Sequence, residues 1–311
     1  MASTQYAFTR GLDYASIVAT SEHVAWTVSE VFGGRSFDAS RPIVPTSWVG
    51  TVGLDFLDER EQRTLNHCRA FSYVHLLGNY EEFIPLHLNG LVRQDWRGDR
   101  SHFRALLRFG DEELKHQELF REAELVLERS CDHPFVRYFD DDKVRVTDFT
   151  RDSLEHPPLA RFLLLLAFEW GTQRHYVESI RDRAADRGDG LYADVLKAHW
   201  VEEAQHVKSD TVEIARLATG MSDEEIASAF DELGSLGRLI DASLVGQAAA
   251  EVETLQRVSG RRLPDAQVTQ LRETLHRSLG AIIISISLTH PNFARIAREL
   301  SPDGAARLLD S

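Results

Sequence analysis

Two stretches of the chain each carry a Glu-x-x-His spacing: Glu113 with His116, and Glu203 with His206. The second stretch also has His199 one turn before its glutamate. On an α-helix, residues three or four positions apart share a face, so each stretch would present its side chains together. Carboxylates and imidazoles in this arrangement suit iron or manganese. The spacing therefore predicts a metal site built from two helices.

A site for two metal ions needs more carboxylates than these. Bundles that bind two irons take a Glu-x-x-His from each of two helices and a glutamate from each of two others. Residues 66–92 have the apolar period of a helix, and Glu81 falls within the apolar stripe. Glu82 lies about 100° away, toward polar positions. We therefore predict Glu81 as the ligand and keep Glu82 as the alternative.

The fourth carboxylate is predicted at Glu169, which directly follows the apolar run 162–168. An ionised carboxylate among apolar side chains is costly unless a cation accompanies it, and two metal ions would be the strongest partner. His175 and Glu178 turn away from Glu169 on the same helix and are weaker candidates. The predicted ligands lie on four helices: Glu81, Glu113, His116, Glu169, His199, Glu203 and His206. This mixture fits iron or manganese better than structural zinc.

In chain order, Glu, Glu-x-x-His, Glu and His-x-x-x-Glu-x-x-His resemble the p-aminobenzoate N-oxygenase (AurF-like) family of ferritin-like di-iron oxygenases. His199 distinguishes this family, because most other di-iron carboxylate enzymes stop at six protein ligands. The resemblance covers roughly residues 60–215. It implies two iron ions, which manganese could replace, with dioxygen as co-substrate. It also implies oxidation of the nitrogen of a small aromatic amine through hydroxylamine toward nitro, in natural-product biosynthesis.

Other activities would use the same ligands. The main alternative is a di-iron hydroxylase or desaturase that acts on carbon of a small or carrier-bound substrate. An iron-storing protein and a purely structural helical protein are further alternatives. The sequence has no G-x-G-x-x-G fingerprint for a flavin or nicotinamide, so we expect electrons from an external electron-transfer partner. A homodimer is expected.

Composition narrows the class of protein. Among 311 residues, 35 Lys and Arg face 49 Asp and Glu, a formal net charge of −14, which disfavours binding to nucleic acid. Cys68 and Cys131 have neither zinc-like nor redox spacing, which fits a reducing compartment. Residues 1–20 lack a continuous apolar segment, and no apolar run approaches the roughly twenty residues that span a bilayer. We expect a cytoplasmic protein without a membrane partner.

The periodicity predicts an all-α fold, a ferritin-like four-helix bundle with additional N- and C-terminal helices. A single domain, 1–311, would comprise an N-terminal arm at 1–57, the metal-binding bundle at 58–219 and C-terminal helices at 220–311. The bundle helices are predicted at about 58–92, 99–130, 157–186 and 191–219, with 131–156 as the long crossover that such bundles need. Histidines outside the ligand set are expected to face solvent or to lie behind the ligands: His67, His75, His87 and His175.

Overall fold

Helices are the regular secondary structure throughout the part of the chain that the structure describes. The computed structural model describes residues 6–94, 97–135, 139, 143–182, 186 and 188–310, with backbone alone for 143–148. The helices, numbered in chain order, are α1 Tyr14–Val24, α2 Val28–Phe32, α3 Glu59–Glu81, α4 Phe83–Gln94, α5 Arg100–Cys131, α6 Lys143–Glu155, α7 Pro158–Tyr176, α8 Gly190–Ala218, α9 Asp223–Ser259, α10 Asp265–Gly280, α11 Ile286–Leu288, α12 Pro291–Leu300 and α13 Pro302–Leu309. Short 3-10 turns lie at Ala7–Thr9 and Thr46–Trp48, and π-helical turns at Val177–Arg181 and Ala281–Ser285.

The first bundle helix, predicted over 58–92, is in fact two helices, α3 and α4, which meet at Glu82. Pro85 explains the break, because proline lacks an N–H and its ring clashes with the carbonyl four residues earlier, that of Glu81. The N–H of Glu82 bonds instead to the carbonyl of Asn79 at 3.3 Å, which is a tighter turn. The prediction of one continuous helix was wrong, and Glu81 is the last residue of α3.

The two helices that carry the Glu-x-x-His spacings begin and end close to the predicted positions. Each starts with an aspartate that caps the free N–H groups of the first turn. Asp99 accepts a hydrogen bond from Ser101 N at the start of α5, and Asp189 accepts one from Leu191 N at the start of α8, both at 2.8 Å. The predicted bounds of these two helices are confirmed to within one residue at each end.

The third predicted bundle helix ends earlier than expected. Regular α7 stops at Tyr176 and continues as a π-helical turn to Arg181, whereas the prediction extended the helix to 186. Residues 183–185 lie outside the described residues. The connection predicted at 131–156 contains a helix, α6, although part of this stretch is also outside the described residues.

The N-terminal arm packs over the helices that carry the site. Helix α1 lies against α5 and α8, and α2 lies against the same two helices. Ile17, Val18 and Phe32 are buried there. The arm is therefore a cover for the middle of the molecule, and one of its loops brings Trp26 beside His116.

The C-terminal helices extend the core on the other side. Helix α9 starts with a capping box between Ser222 and Glu225, and it packs against α3 and α7. Residues 281–288 are helical. A Cβ on Gly171 of α7 would lie 2.0 Å from the Ser287 hydroxyl oxygen, so only glycine allows α7 to approach this segment so closely.

Other features agree only in part with the sequence predictions. Cys68 and Cys131 are buried free thiols. None of the described helices combines the length and apolar character needed to cross a membrane.

His87 and His175 are each only 2% exposed, so neither faces solvent. Their pKa values fall to about 3, because burial penalises the charged imidazolium.

Candidate metal centre

Six of the seven predicted ligands come together in the interior, from α3, α5 and α8. Glu203 Oε1 is the central atom: it lies 3.1 Å from His199 Nε2, 3.1 Å from His206 Nδ1 and 3.3 Å from His116 Nδ1. Glu81 Oε1 lies 3.1 Å from His199 Nε2. The carboxylate of Glu203 thus contacts imidazoles from both α5 and α8.

Glu113 completes the other end of this cluster. Its Oε1 lies 2.8 Å from His206 Nδ1, and its Oε2 lies 3.9 Å from His116 Nδ1. The side chains of Glu113, His116 and His206 are at most 1% exposed. Because helix α5 spaces Glu113 and His116 by three residues, both enter the cluster from one face, as the sequence predicted.

The six residues divide into two overlapping groups, each able to hold a metal ion. One group is Glu81, His116, His199 and Glu203, and the other is Glu113, His116, Glu203 and His206. In each group the ligand atoms lie within 4.8 Å of one another. The groups share His116 and Glu203, so two ions held by them would be close neighbours. The buried cluster of glutamates and histidines could hold a metal ion.

The electrostatics of the cluster favour a cation. Burial raises the pKa of Glu81 and, more strongly, that of Glu113, because a buried carboxylate loses its hydration. Burial opposes the ionisation of Glu203 too, but His199 and His206 outweigh it and hold the pKa of Glu203 well below its ordinary value. Glu203 and Glu81 overcome burial in turn and raise the pKa of His199 to about 10.

Several buried ligand atoms also have no hydrogen-bond partner among the described residues. They are Glu81 Oε2, Glu113 Oε2 and His116 Nδ1. An unpaired buried polar atom costs about 1–3 kcal/mol, and more when it is charged. Metal coordination would satisfy all three atoms at once, so the residues fit a bound metal.

Glu169, the seventh predicted ligand, lies outside both groups. It is buried at 4% exposure on α7 and borders the same cavity, and Asp210 of α8 is the charged group that acts most strongly on its carboxyl group. Burial raises the pKa of both carboxyl groups well above their ordinary values, and the charge of Asp210 raises that of Glu169 further. Glu82, the alternative to Glu81, is exposed and away from the cluster.

Two buried carboxylates that the sequence analysis missed support the histidines from behind. His116 Nε2 lies 3.1 Å from Glu202 Oε2, and His206 Nε2 lies 3.2 Å from Glu112 Oε2. The glutamate preceding each Glu-x-x-His thus bonds to the histidine of the other one. The signal was in the sequence as a doubled glutamate, Glu112-Glu113 and Glu202-Glu203. Such partners fix the ring orientation of ligating histidines and increase their basicity.

Basic and hydroxyl groups anchor these supporting carboxylates. Glu202 accepts a hydrogen bond from Lys115, whose ammonium also lies 4.3 Å from the centre of the Trp26 ring. Glu112 accepts hydrogen bonds from Ser21 and, at 3.1 Å, from Arg108 Nε. The N-terminal arm therefore contributes to the rigidity of the cluster through Ser21 and Trp26.

We expect Glu202→Gln to weaken metal binding roughly 10–100-fold, the usual effect of losing a partner behind a metal-ligating histidine. The amide cannot offer both Lys115 and His116 a full acceptor, so His116 loses its fixed orientation. Competition titration with a chelator would measure the affinity. Glu118→Gln, an exposed position on α5, is the matched control and should bind like the unmodified chain. Equal affinity of Glu202→Gln and Glu118→Gln would contradict the supporting role of Glu202.

A cavity of about 40 Å³ borders the cluster and leaves room for a few water-sized ligands. Glu81, Glu113, Glu169 and Glu203 line one side. Apolar side chains form most of the remaining wall: Leu77, Ile84, Leu165, Phe168, Ile282 and Ile283. The arrangement places four carboxylates against a small, mostly apolar space.

Comparisons with known proteins do not assign the chain to a family. No family model matches the chain, and neither the curated proteins nor the solved structures contain a match. The geometry of the site is therefore the basis for its chemistry.

Proposed function

We propose that the chain is a ferritin-like di-iron oxygenase that uses dioxygen to oxidise the nitrogen of a small, aromatic amine. The observation that carries the proposal is the pair of overlapping ligand groups that share His116 and Glu203. Glutamates and histidines on a helical framework, with an additional histidine at His199, match the ligand chemistry that non-haem di-iron proteins use.

In this proposal Glu81 and His199 would hold one ion and Glu113 and His206 the other, while Glu203 and His116 belong to both ligand groups. The bound irons would supply the reduction of dioxygen and the transfer of an oxygen atom. Glu112 and Glu202 keep the histidine rings oriented through their outer nitrogens. Electrons would come from a separate electron-transfer partner.

The cavity walls would position the substrate. The cavity as it stands holds only a few waters, so an aromatic substrate would enter as the apolar wall moves. Phe168 and Ile283 would then contact the ring and keep water away from the reacting atoms. Burial raises the pKa of Glu169 well above its ordinary value, so its carboxyl group would be protonated and would donate that proton at the cavity wall. These residues bind, orient and protonate, whereas the redox chemistry belongs to the metal.

The test is an assay with reduced, iron-loaded protein, dioxygen and a panel of arylamines that includes p-aminobenzoate. We expect hydroxylamine and nitro products, identified by mass spectrometry with isotopically labelled dioxygen. A Glu203→Ala variant, prepared identically, should form no product. Consumption of dioxygen without any N-oxygenated product across the panel would refute the N-oxygenase proposal.

The apolar wall also supports the second candidate, oxidation at carbon. Leu77, Ile84 and Leu165 would suit a hydrocarbon segment of a small or carrier-bound substrate. The same labelling assay separates oxidation at nitrogen from oxidation at carbon. A hydroxylase would place the label in a new C–O bond, and a desaturase would form a double bond without incorporating the label. Either outcome would leave the metal centre in place.

A further inference from the structure

A tyrosine and a histidine form a buried pair at the edge of the metal cavity, and the proposed function gives this pair no role. Tyr73 of α3 lines the cavity together with Glu81, two helical turns further along. Its hydroxyl lies 2.6 Å from Nδ1 of His175 on α7. Tyr73 is 3% exposed and His175 is 2% exposed, so no bulk water competes for this hydrogen bond.

The direction of the hydrogen bond follows from the protonation states. Burial holds His175 neutral, with its pKa near 3, and burial together with the charge of Glu81 raises the pKa of Tyr73 above its ordinary value. The phenol therefore stays protonated, and its O–H donates a hydrogen bond to the unprotonated ring nitrogen Nδ1. His175 Nε2 has no hydrogen-bond partner among the described residues. The tautomer with the proton on Nε2 leaves Nδ1 free as the acceptor.

Aromatic side chains continue from this pair away from the cavity. The Trp48 ring centre lies 4.2 Å from that of His175 and 4.9 Å from that of Tyr73, and 6.4 Å from that of Tyr192. Arg69 holds the Trp48 backbone carbonyl at 3.1 Å. The Trp48 ring is thus fixed against both members of the pair.

A phenol is difficult to oxidise when its proton has nowhere to go, because the protonated radical cation is highly acidic. A neutral base at hydrogen-bond distance removes that obstacle, since the proton can move as the electron leaves. Tyr80, the second tyrosine that lines the cavity, shares a hydrogen bond with the Ser243 hydroxyl, which is a poor base. Tyr73 therefore has the basic partner that oxidation of a phenol needs.

We propose that Tyr73 and His175 form a one-electron relay for the metal centre, an inference that depends on the proposed dioxygen chemistry. Tyr73 would give one electron to a bound iron centre that dioxygen has oxidised. The phenol O–H bond breaks, the proton forms a new N–H bond at His175 Nδ1, and a neutral tyrosyl radical remains. The centre is reduced by one electron and the phenol is oxidised by one. In the absence of an amine, the relay removes an oxidising equivalent from the cavity.

The test follows the radical, the iron and the dioxygen in the same sample. Reduced, iron-loaded protein is mixed with dioxygen without substrate, frozen at short times and examined by electron paramagnetic resonance. We expect a tyrosyl signal whose hyperfine structure collapses when the protein contains ring-deuterated tyrosine. Tyr73→Phe should lose the signal, and so should His175→Gln, whose side chain can accept a hydrogen bond but cannot take the proton.

Tyr80→Phe is the matched control and should keep the signal, because it removes the other cavity tyrosine and leaves the Tyr73–His175 pair intact. Circular dichroism and iron content, measured for every variant, confirm that the fold and the metal remain. Dioxygen uptake with iron oxidation but no tyrosyl signal would overturn the relay and leave the oxygenase proposal standing. A signal that persists in Tyr73→Phe would also overturn it. Failure to consume dioxygen would overturn the proposed function, and the relay would fall with it for lack of an oxidant.

Discussion

Replacing Glu203 with alanine is expected to abolish the binding of both metal ions while the helices remain folded. Its Oε1 lies within 3.3 Å of ring nitrogens from His116, His199 and His206, and it belongs to both ligand groups. Loss of a residue that only supports a ligand weakens metal binding by up to about 100-fold. We therefore expect loss of the ligand Glu203 itself to weaken it by at least that much. Alanine is a strong helix former, so α8 should persist. Iron analysis beside circular dichroism would measure both effects.

Glu81 and Glu82 provide a graded control for this result. Glu81 belongs to one ligand group alone, so Glu81→Ala should lower the iron content from two ions per chain toward one. Glu82 is exposed, and Glu82→Ala should keep both ions. Two ions retained in Glu203→Ala, or equal losses in the Glu81 and Glu82 variants, would contradict the assigned ligands.

Helical periodicity was sufficient to place most of the cluster. Spacing by three or four residues puts Glu113 with His116, and His199 with Glu203, on one face whatever the neighbouring helices do. Capping aspartates likewise fixed the starts of α5 and α8. The break after Glu81 was also accessible, because Pro85 cannot continue a helix without disturbing the turn before it.

The partners across helices could not be predicted in the same way. The apolar run before Glu169 correctly indicated burial, but the packing of α7 on α8 decides whether its carboxyl group meets a metal or Asp210. Glu112 and Glu202 lie one residue from ligands, so they point about 100° away on their own helices. Their bonds to His206 and His116 depend on the angle between α5 and α8, which a single sequence does not reveal.

The burial of His87 shows a different limit. Polar composition favours an exposed histidine, yet this one packs edge-on against Phe162 with ring centres 4.6 Å apart. Neither of its ring nitrogens has a hydrogen-bond partner among the described residues. A neutral imidazole can behave as an apolar ring when tertiary packing encloses it, and periodicity alone does not distinguish that case from a solvated side chain.

Breaking the ion pair between Arg69 and Glu251 is expected to destabilise the fold by about 3–5 kcal/mol, the usual cost of leaving a buried charge unpaired. Both side chains are fully buried, and two parallel hydrogen bonds of 2.9 and 2.8 Å join them. Arg69 also donates to the carbonyls of Trp48 and Leu275, at 3.1 and 3.2 Å. This one guanidinium therefore ties α3 to the N-terminal arm, α9 and α10. Urea unfolding of Glu251→Leu, followed by circular dichroism, would measure the loss.

A double variant, Arg69→Met with Glu251→Leu, separates charge from packing. It removes both buried charges, so it should recover much of the stability lost in Glu251→Leu alone. Recovery should stay incomplete, because the Arg69 hydrogen bonds to the carbonyls of Trp48 and Leu275 are lost, at about 0.5–1.5 kcal/mol each, although Ser278 still donates to the Trp48 carbonyl. The Trp48 backbone also loses its bond from Arg69 in the double variant. The Trp48 ring, which packs against Tyr73 and His175 beside the cavity, should therefore become less ordered. Unchanged stability in Glu251→Leu would show that the pair contributes no net free energy to the fold.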